Sequence, residues 1–297
     1  MPNFSEETFN SWRKPPSDTE EAKLANSLRL VKEAISEDPS LNKMSIDIFA
    51  QGSYANDTNV RLNSDIDINL RLNDTVYFHL EEGKTKYDYG YTDSTYTFSE
   101  YKSTIESALI RKFGTDAVER KDKCITVKGN SSRVITDVVA TFKFNRHENT
   151  GVQVGAKFIT DKFVQVICYP LQHIENGKTK NSQTQRRFKR TTRLFRRVRY
   201  KMIDDKISIS PNITSFLLEC LVYNIPNHIF NNNDTWTEIL RNAIIYLFNN
   251  TDEKNDCKEW GEVSELLYLF HGGRKWTKED VNKYLIQMWN YLGFNKD

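Results

Sequence analysis

The residues most able to do chemistry lie between Gln51 and Leu70, in the stretch QGSYANDTNVRLNSDIDINL. A Gly52-Ser53 turn lets the backbone approach a phosphate closely, and the serine adds a hydroxyl and an N–H that can bind its oxygens. Further on, Asp65 and Asp67 point to the same side, because side chains alternate along a strand. Paired carboxylates hold hard divalent cations, which prefer oxygen ligands. The stretch therefore predicts a site for a nucleoside triphosphate with magnesium.

Each feature has an ordinary structural interpretation when it stands alone. A D-x-D pair in a strand is usually a solvated edge, and a G-S pair is usually a turn. Their order and spacing in one short stretch favour the chemical interpretation. The alternation also puts Asn69 and Arg71 on the carboxylate side of the strand and Ile66, Ile68, Leu70 and Leu72 on the other.

A third carboxylate, Asp137, lies in a run rich in Val and Ile between residues 133 and 144. Burial of an unpaired charge costs several kcal/mol. A cation shared with Asp65 and Asp67 would supply the missing partner, whereas an exposed strand end would make a partner unnecessary. Three carboxylates around two Mg²⁺ ions, with Mn²⁺ as a substitute, predict metal-dependent phosphoryl transfer in which positioning and charge neutralisation supply the rate.

The elements that must position these residues divide into two groups. The first group begins with a helix that opens at a Ser17-Asp18-Thr19-Glu20 capping box. Then come a strand over 44–50, the D-x-D strand, a helix over 101–113 and a hairpin of 123–128 with 133–144. The irregular stretch 73–100 is expected to be a mobile loop, although its tyrosines at 87, 89 and 91 could instead meet a base.

The second group begins near Tyr169 and is expected to be helical. A crossing loop is predicted over 170–181, and a basic helix over 184–202, whose buried stripe is Phe188, Phe195, Val198 and Met202. Ser210-Pro211 is predicted to open the next helix, with Ser210 as its N-cap. Three more helices are expected over 235–249, 260–270 and 277–292. The basic side chains of the 184–202 helix are either a solvated face or a phosphate-binding surface.

Composition narrows the class of protein. Acidic residues outnumber basic ones in the first hundred positions, whereas the stretch from Lys178 to Lys206 is strongly basic, as expected if an acidic metal-binding lobe faces a basic wall that receives phosphates. The four cysteines are far apart, which favours neither a zinc site nor a disulfide framework. No signal peptide and no membrane-spanning run are indicated, so a cytoplasmic protein is expected.

The G-S, short helix and D-x-D pattern resembles the signature of the DNA polymerase β-like nucleotidyltransferase superfamily, with Gln51 in place of that family's first glycine. The later aspartate, the H-I-E-N-G-K-T-K-N stretch, and the basic helix followed by S-F-L-L-E-C-L-V-Y-N make the chain similar to the bacterial cGAS/DncV-like nucleotidyltransferases, CdnE-like clade. The resemblance implies metal ligands at Asp65, Asp67 and Asp137. It implies nucleotide contacts at Gly52, Ser53, Arg196 and Ser210.

That resemblance also implies an α+β fold, with a catalytic lobe over 1–168 and a helical lobe over 169–297 that completes the nucleotide pocket. It implies a monomeric synthase of a cyclic dinucleotide messenger in antiphage (CBASS) signalling, with cyclic di-GMP from GTP the favoured product. The partners would be nucleoside triphosphates and an effector reached through the diffusible product, without a membrane or stably bound nucleic acid. Two alternatives stay open: a nucleotidyltransferase that extends RNA or modifies a small molecule, and an inactive nucleotide-binding or antitoxin module.

Overall fold

The computed structural model describes residues 2–60, 65–252 and 257–295. The chain divides into two compact units. A sheet unit contains the described residues of Ser17–Tyr54 and Ser64–Leu171, and a helical unit contains those of Met1–Pro16, Ala55–Asn63 and Gln172–Asp297. The boundary near residue 171 lies close to the predicted start of the helical group at Tyr169. The described residues of 1–16 and of the connector 55–63, which follows the G-S turn, belong to the helical unit instead of the sheet unit.

Among its described residues, the sheet unit has seven strands in one mixed sheet. The strands are β1 Ile46–Gln51, β2 Ile66–His79, β3 Val118–Arg120, β4 Ile125–Val127, β5 Thr136–Glu148, β6 Gly151–Ile159 and β7 Gln165–Cys168. Their order is β1-β2-β5-β4-β3, and β6 pairs with β5 and β7. The β2–β5 pair is parallel and the other pairs are antiparallel.

The helices α2 (Asp18–Ser36) and α4 (Phe98–Phe113) share one apolar core with the sheet. The capping box at Ser17 is present, because the Ser17 side chain accepts from the Glu20 N–H and the Glu20 carboxylate accepts from the Ser17 N–H. The predicted apolar side of β2 is confirmed, since its side chains are at most 1% exposed; they are Ile66, Ile68, Leu70 and Leu72. Leu24, Val31, Tyr101 and Ile105 contribute from the two helices.

The helices of the helical unit are α1 Glu6–Trp12, α5 Pro170–Gln183, α6 Arg187–Asp204, α7 Ser215–Tyr223, α8 Asn227–Asn231, α9 Trp236–Thr251 and α10 Lys278–Leu292. This unit has its own core, built mainly by α6, α7, α9 and α10. The predicted stripe of α6 is confirmed, because all four of its side chains are fully buried. Helix α1, which the sequence did not predict, is a two-turn helix that buries Phe9.

The loop predicted over 170–181 is wrong, because this segment forms helix α5. The segment lacks the helical repeat of large apolar residues that would have predicted a helix, because its buried positions are His173 and Gly177. His173 is held by a hydrogen bond with Glu219, 3.1 Å between Nε2 and Oε1. At Gly177 an added Cβ would lie 3.9 Å from Phe188 and Val263, so a small residue suits the close packing there.

Two other predicted elements differ from the structure. Ser210-Pro211 does not open a helix, because the Ile213 N–H donates to the Ser210 carbonyl and closes a turn with proline at its second position. The helix begins at Ser215, where Thr214 is the N-cap. The helix predicted over 260–270 is a looped segment in which the Leu269 N–H donates to the Trp260 carbonyl.

Strand β2 is also longer than predicted. The Asn73-Asp74-Thr75 segment, which has the composition of a loop, is a bulge where the β2–β5 register shifts between Leu72 and Val76. Asp74 supports the bulge by accepting a hydrogen bond from the Ser45 N–H. The strand then continues to His79, so the irregular region is shorter than its composition indicates.

Candidate active site

Strand register brings two of the predicted carboxylates together. Asp67 of β2 and Asp137 of β5 are direct partners in the parallel pair. Neighbouring strands lie about 4.8 Å apart and aligned residues point to the same face, so the two carboxylates stand side by side. The register continues across the sheet in one row, which we call the transverse row: Gln51, Asp67, Asp137, Thr126 and Glu119.

The Gly52-Ser53 turn follows directly from the β1 end of the transverse row. Gly52 has a φ of +65°, a backbone conformation that favours glycine. A Cβ at this position would lie 2.2 Å from Oδ2 of Asp67, so glycine is also required by the space. Ser53 comes next, half-buried in the four-residue helix α3, Gly52–Ala55. The turn and the carboxylate pair are therefore adjacent.

A second polar layer supports the row from the same side of the sheet. Asn69 is fully buried, donates to Gln51 Oε1 over 2.9 Å and accepts from the Thr141 hydroxyl over 2.7 Å. One step further along β2, Arg71 is 7% exposed and donates to Asp47 over 2.8 Å. This hydrogen bond lowers the pKa of the Asp47 carboxyl. The polar side of β2 is thus a buried network that ties β1, β2 and β5 together beneath Asp67.

Asp137 is half-buried rather than enclosed in apolar surroundings. Its Oδ1 accepts a hydrogen bond from the hydroxyl of Thr126 in β4, a residue that the sequence did not single out. The Thr126 hydroxyl also contacts the thiol of Cys124 over 3.9 Å. Burial, with a further contribution from the charge of Asp137, raises the pKa of that thiol to about 11. The hairpin register could have indicated Thr126, because it places this residue opposite Asp137.

Asp65 lies immediately before β2 and its side chain is exposed. The neighbouring Ile66 N–H donates to the Ile135 carbonyl, which fixes the start of the strand beside β5. Among residues 2–60, 65–252 and 257–295, no group of three or more Asp, Glu, His or Cys side chains forms a ready-made cation site. Convergence of all three aspartates thus stays a prediction, while Asp67 and Asp137 are held together by the sheet. Their carboxylate oxygens lie beside the turn at Gly52, which has no side chain. Such oxygens are the hard ligands that Mg²⁺ or Mn²⁺ prefers.

The other two predicted site residues belong to the helical unit. Arg196 of α6 is only 4% exposed and donates to the Thr58 hydroxyl over 3.5 Å. Thr58 in turn donates to Glu219 over 2.9 Å. Ser210 accepts a hydrogen bond from the Asn212 N–H and caps no helix. Their assignment as nucleotide contacts stays a prediction.

Other cations of the basic helix α6 are used within the helical unit. Arg193 is 5% exposed and donates to the backbone carbonyls of Arg13 and Asp57. Arg187 donates to the carbonyls of Phe230 and Asn233. Burial lowers the pKa of the Arg193 guanidinium. These two side chains therefore have structural partners, and charge density along the helix does not by itself indicate a phosphate surface.

Comparison with known proteins matches this arrangement to one family. Residues 175–293 match the family model of the cGAS/DncV-like nucleotidyltransferase C-terminal helical domain. The chain is 59% identical over 295 residues to a cyclic dipyrimidine nucleotide synthase CdnE of Cecembia lonarensis, covering 99% of this chain and 100% of the relative. The chain belongs to the cGAS/DncV-like nucleotidyltransferases. It is accordingly an enzyme of the cyclic dinucleotide synthase class.

Two further comparisons span almost the whole chain. A cyclic dipurine nucleotide synthase of Elizabethkingia meningoseptica is 39% identical and covers 98% of this chain and 99% of the relative. The solved structure of the Elizabethkingia meningoseptica CdnE synthase with GTP and Apcpp superposes with a TM-score of 0.82 at 36% identity, covering 98% of this chain and 100% of that one. The predicted α+β fold and family are confirmed. Among the described residues, no helix is both long and apolar enough to cross a membrane.

Proposed function

We propose that this enzyme joins two nucleoside triphosphates into a cyclic dinucleotide messenger by two successive phosphoryl transfers, each of which releases pyrophosphate. The observation that carries the proposal is the pairing of Asp67 with Asp137 across β2 and β5, directly beside the Gly52 bend. Family membership supports the reaction class, since the relatives at 59% and 39% identity are both named as cyclic nucleotide synthases.

Each residue of the sheet site has a separate role in this proposal. The backbone at Gly52 approaches the phosphates of the donor nucleotide, and the hydroxyl and N–H of Ser53 bind their oxygens. Asp65, Asp67 and Asp137 would hold Mg²⁺, or Mn²⁺ in its place, which when bound neutralises phosphate charge and lowers the pKa of the attacking hydroxyl. Oδ2 of Asp137 accepts the proton of that hydroxyl, while Oδ1 keeps its hydrogen bond from Thr126.

The predicted roles of Arg196 and Ser210 are kept as part of the proposal. Arg196 would act from its buried position next to Thr58, and not as a solvent-facing cation. Ser210 would act from a turn rather than from a helix start. Both assignments depend on the family resemblance.

Base choice differs between the two relatives. The protein that is 59% identical is named for a dipyrimidine product, and the protein that is 39% identical is named for a dipurine product. We propose a pyrimidine-containing cyclic dinucleotide, because the relative with the higher identity, 59% over 99% of this chain, is the one named for a dipyrimidine product. Cyclic di-GMP, the product favoured by the sequence, is the competing outcome. The product would serve antiphage signalling by diffusing to an effector.

One assay separates these possibilities. The protein is incubated with each of the four labelled nucleoside triphosphates, singly and in pairs, with Mg²⁺ or Mn²⁺, and the reaction is treated with phosphatase. A phosphatase-resistant product that appears with UTP or CTP supports the proposal, and one that appears only with GTP favours cyclic di-GMP. In a parallel reaction that contains an added RNA, extension of that RNA would identify a tailing enzyme, and unchanged triphosphates in every reaction would identify a binding module. Asp67→Asn provides the inactive control.

A further inference from the structure

Thr126 is a member of the transverse row that touches the Asp137 carboxylate without being a carboxylate itself. It is 4% exposed and lies in β4, where it faces Asp137 in the antiparallel β4–β5 pair. Its hydroxyl donates to Oδ1 of Asp137. A threonine hydroxyl has a single hydrogen, and here that hydrogen is committed to the carboxylate.

The surroundings of Thr126 favour this one orientation. The hydroxyl oxygen also lies 3.9 Å from Cys124 Sγ, so the side chain of Cys124 packs beside it. A β-branched side chain has few χ1 rotamers in a strand, so the hydroxyl does not turn away easily. The short strand β4 is in turn held by β3 through the Glu119–Thr126 pairing.

A carboxylate with one oxygen so fixed no longer rotates independently. Terminal carboxylate torsions are broad, and a half-buried aspartate would otherwise sample many orientations. Because Oδ1 is held by Thr126 from the β4 side, the rotation of the Asp137 carboxylate is restricted, while Asp67 is its partner on the β2 side. Such restriction matters for phosphoryl transfer, where small misplacements of catalytic groups reduce the rate strongly.

We propose that Thr126 is a positioning residue that fixes the Asp137 carboxylate for catalysis. The inference rests on the proposed function, in which Asp137 binds metal and takes the proton of the attacking hydroxyl. Thr126 need not contact a nucleotide. Loss of the hydroxyl should therefore lower kcat while the KM for the triphosphates stays almost unchanged.

The test compares three single variants in the full-length protein. Thr126→Val removes the hydroxyl and keeps the shape, and Thr126→Ser keeps the hydroxyl. Thr136→Val is the matched control, because Thr136 is also a buried threonine of this hairpin but its hydroxyl donates to the Val134 carbonyl. Hydrogen bonds to charged groups are strong enough for an expected fall in kcat of about tenfold in Thr126→Val. We expect a KM within about twofold of wild type for this variant, and recovery of most of the rate in Thr126→Ser.

A second measurement does not depend on turnover. We expect the rise in melting temperature caused by Mn²⁺ added without a nucleotide to be smaller in Thr126→Val than in wild type or Thr136→Val, because Asp137 is a metal ligand in the proposed function, whereas the KM for the triphosphates is measured at saturating metal. Equal shifts in all three proteins, an undiminished kcat in Thr126→Val, or a Thr126→Ser variant as slow as Thr126→Val would each overturn the positioning role. An equal fall in Thr136→Val would do the same. If instead wild type forms no product with any triphosphate, the proposed function fails, and the melting shift alone decides the role of Thr126.

Discussion

Gly52 and Asp67 approach each other so closely that residue 52 has no room for a side chain: a Cβ there would lie 2.2 Å from Oδ2 of the aspartate. Gln51, the residue before the glycine, is the strand partner of Asp67. The bend and the carboxylate are therefore parts of one local structure, and a change at either disturbs the other.

The first prediction concerns Gly52→Ala. The new methyl group would push the Asp67 carboxylate aside, and the positive φ would add backbone strain of about 1–3 kcal/mol. We expect the initial rate of product formation to fall by about a hundredfold, as small displacements of catalytic groups do. Gly83→Ala is the matched control, because Gly83 has a φ of +78° but nothing within 4 Å of an added Cβ. Equal losses in the two variants would show that strain alone, and not the clash with Asp67, explains the effect.

The second prediction compares carboxylates within the transverse row. Asp67→Asn and Asp137→Asn keep the side-chain shape and remove the charge that a divalent cation needs. We expect each to lower kcat by about a hundredfold or more. Glu119→Gln removes a charge from the exposed end of the same row, and we expect a rate within about twofold of wild type. Rate measurements at saturating Mg²⁺ check this, and an active Asp137→Asn would refute the assignment.

The third prediction concerns the buried carboxylate Glu219. Burial opposes its ionisation, but the hydrogen bond and charge of His173 with the charge of Arg196 outweigh it, so the pKa is lowered below 4.5. Removal of this group in Glu219→Ala would leave Arg196 buried without its counter-charge. We expect the free energy of unfolding at pH 7 to fall by about 3 kcal/mol, measured in urea.

The pH dependence of Glu219 provides a check on that result. Because its folded pKa is depressed, its contribution is complete above the unfolded value of 4.5 and is lost as the pH falls through the folded pKa. The stability difference between wild type and Glu219→Gln should therefore shrink in acid below pH 4.5. A difference that stays constant from neutral to acid pH would argue against an ionised Glu219.

The fourth prediction concerns Lys180 of helix α5. Its Nζ donates to the Ile225 carbonyl over 2.6 Å and lies over the rings of Tyr223 and Phe230. Burial lowers its pKa from 10.5 to about 8. Between these values the unfolded chain holds a proton that the folded chain has released, so stability rises with pH. The free energy of unfolding is measured for wild type and Lys180→Met at pH 7 and pH 9.5. Between these two pH values it should rise more in wild type than in the variant. The gain should be below ~1.4 kcal/mol per pH unit, because the side chain is partly open to water.

The sheet half of the site was largely predictable from sequence. Alternating polarity places Asp67 on the polar side of its strand, and the two β-rich runs around Gly129 predict the hairpin that contains Asp137. Which strand lies next to β2 is a long-range property, however. The sequence predicted that Asp67 and Asp137 share a cation, but the parallel β2–β5 pairing that makes them direct strand partners is visible only in the structure.

The helical half was less predictable because its signals are ambiguous. Ser-Pro suits a helix start and a turn equally, and the structure uses the turn at Ser210. Helix α5 lacks an apolar stripe because it buries His173 against a carboxylate. Arginines on a helix are usually exposed, yet Arg193 and Arg196 are buried by the connector residues Asp57 and Thr58, which come from much earlier in the chain.

The parallel pairing of β2 with β5 also bears on how this enzyme is made. A nascent chain that has left the ribosome as far as α4 already contains Gly52, Ser53, Asp65 and Asp67, but not the strand that brings Asp137 beside them. Parallel strands joined through a long crossover are slow to pair, since the loop between them must close first. In the proposed mechanism, the unfinished polypeptide would therefore have no catalytic activity, and synthesis of the product would begin only after residues 136–148 have been translated and paired with β2.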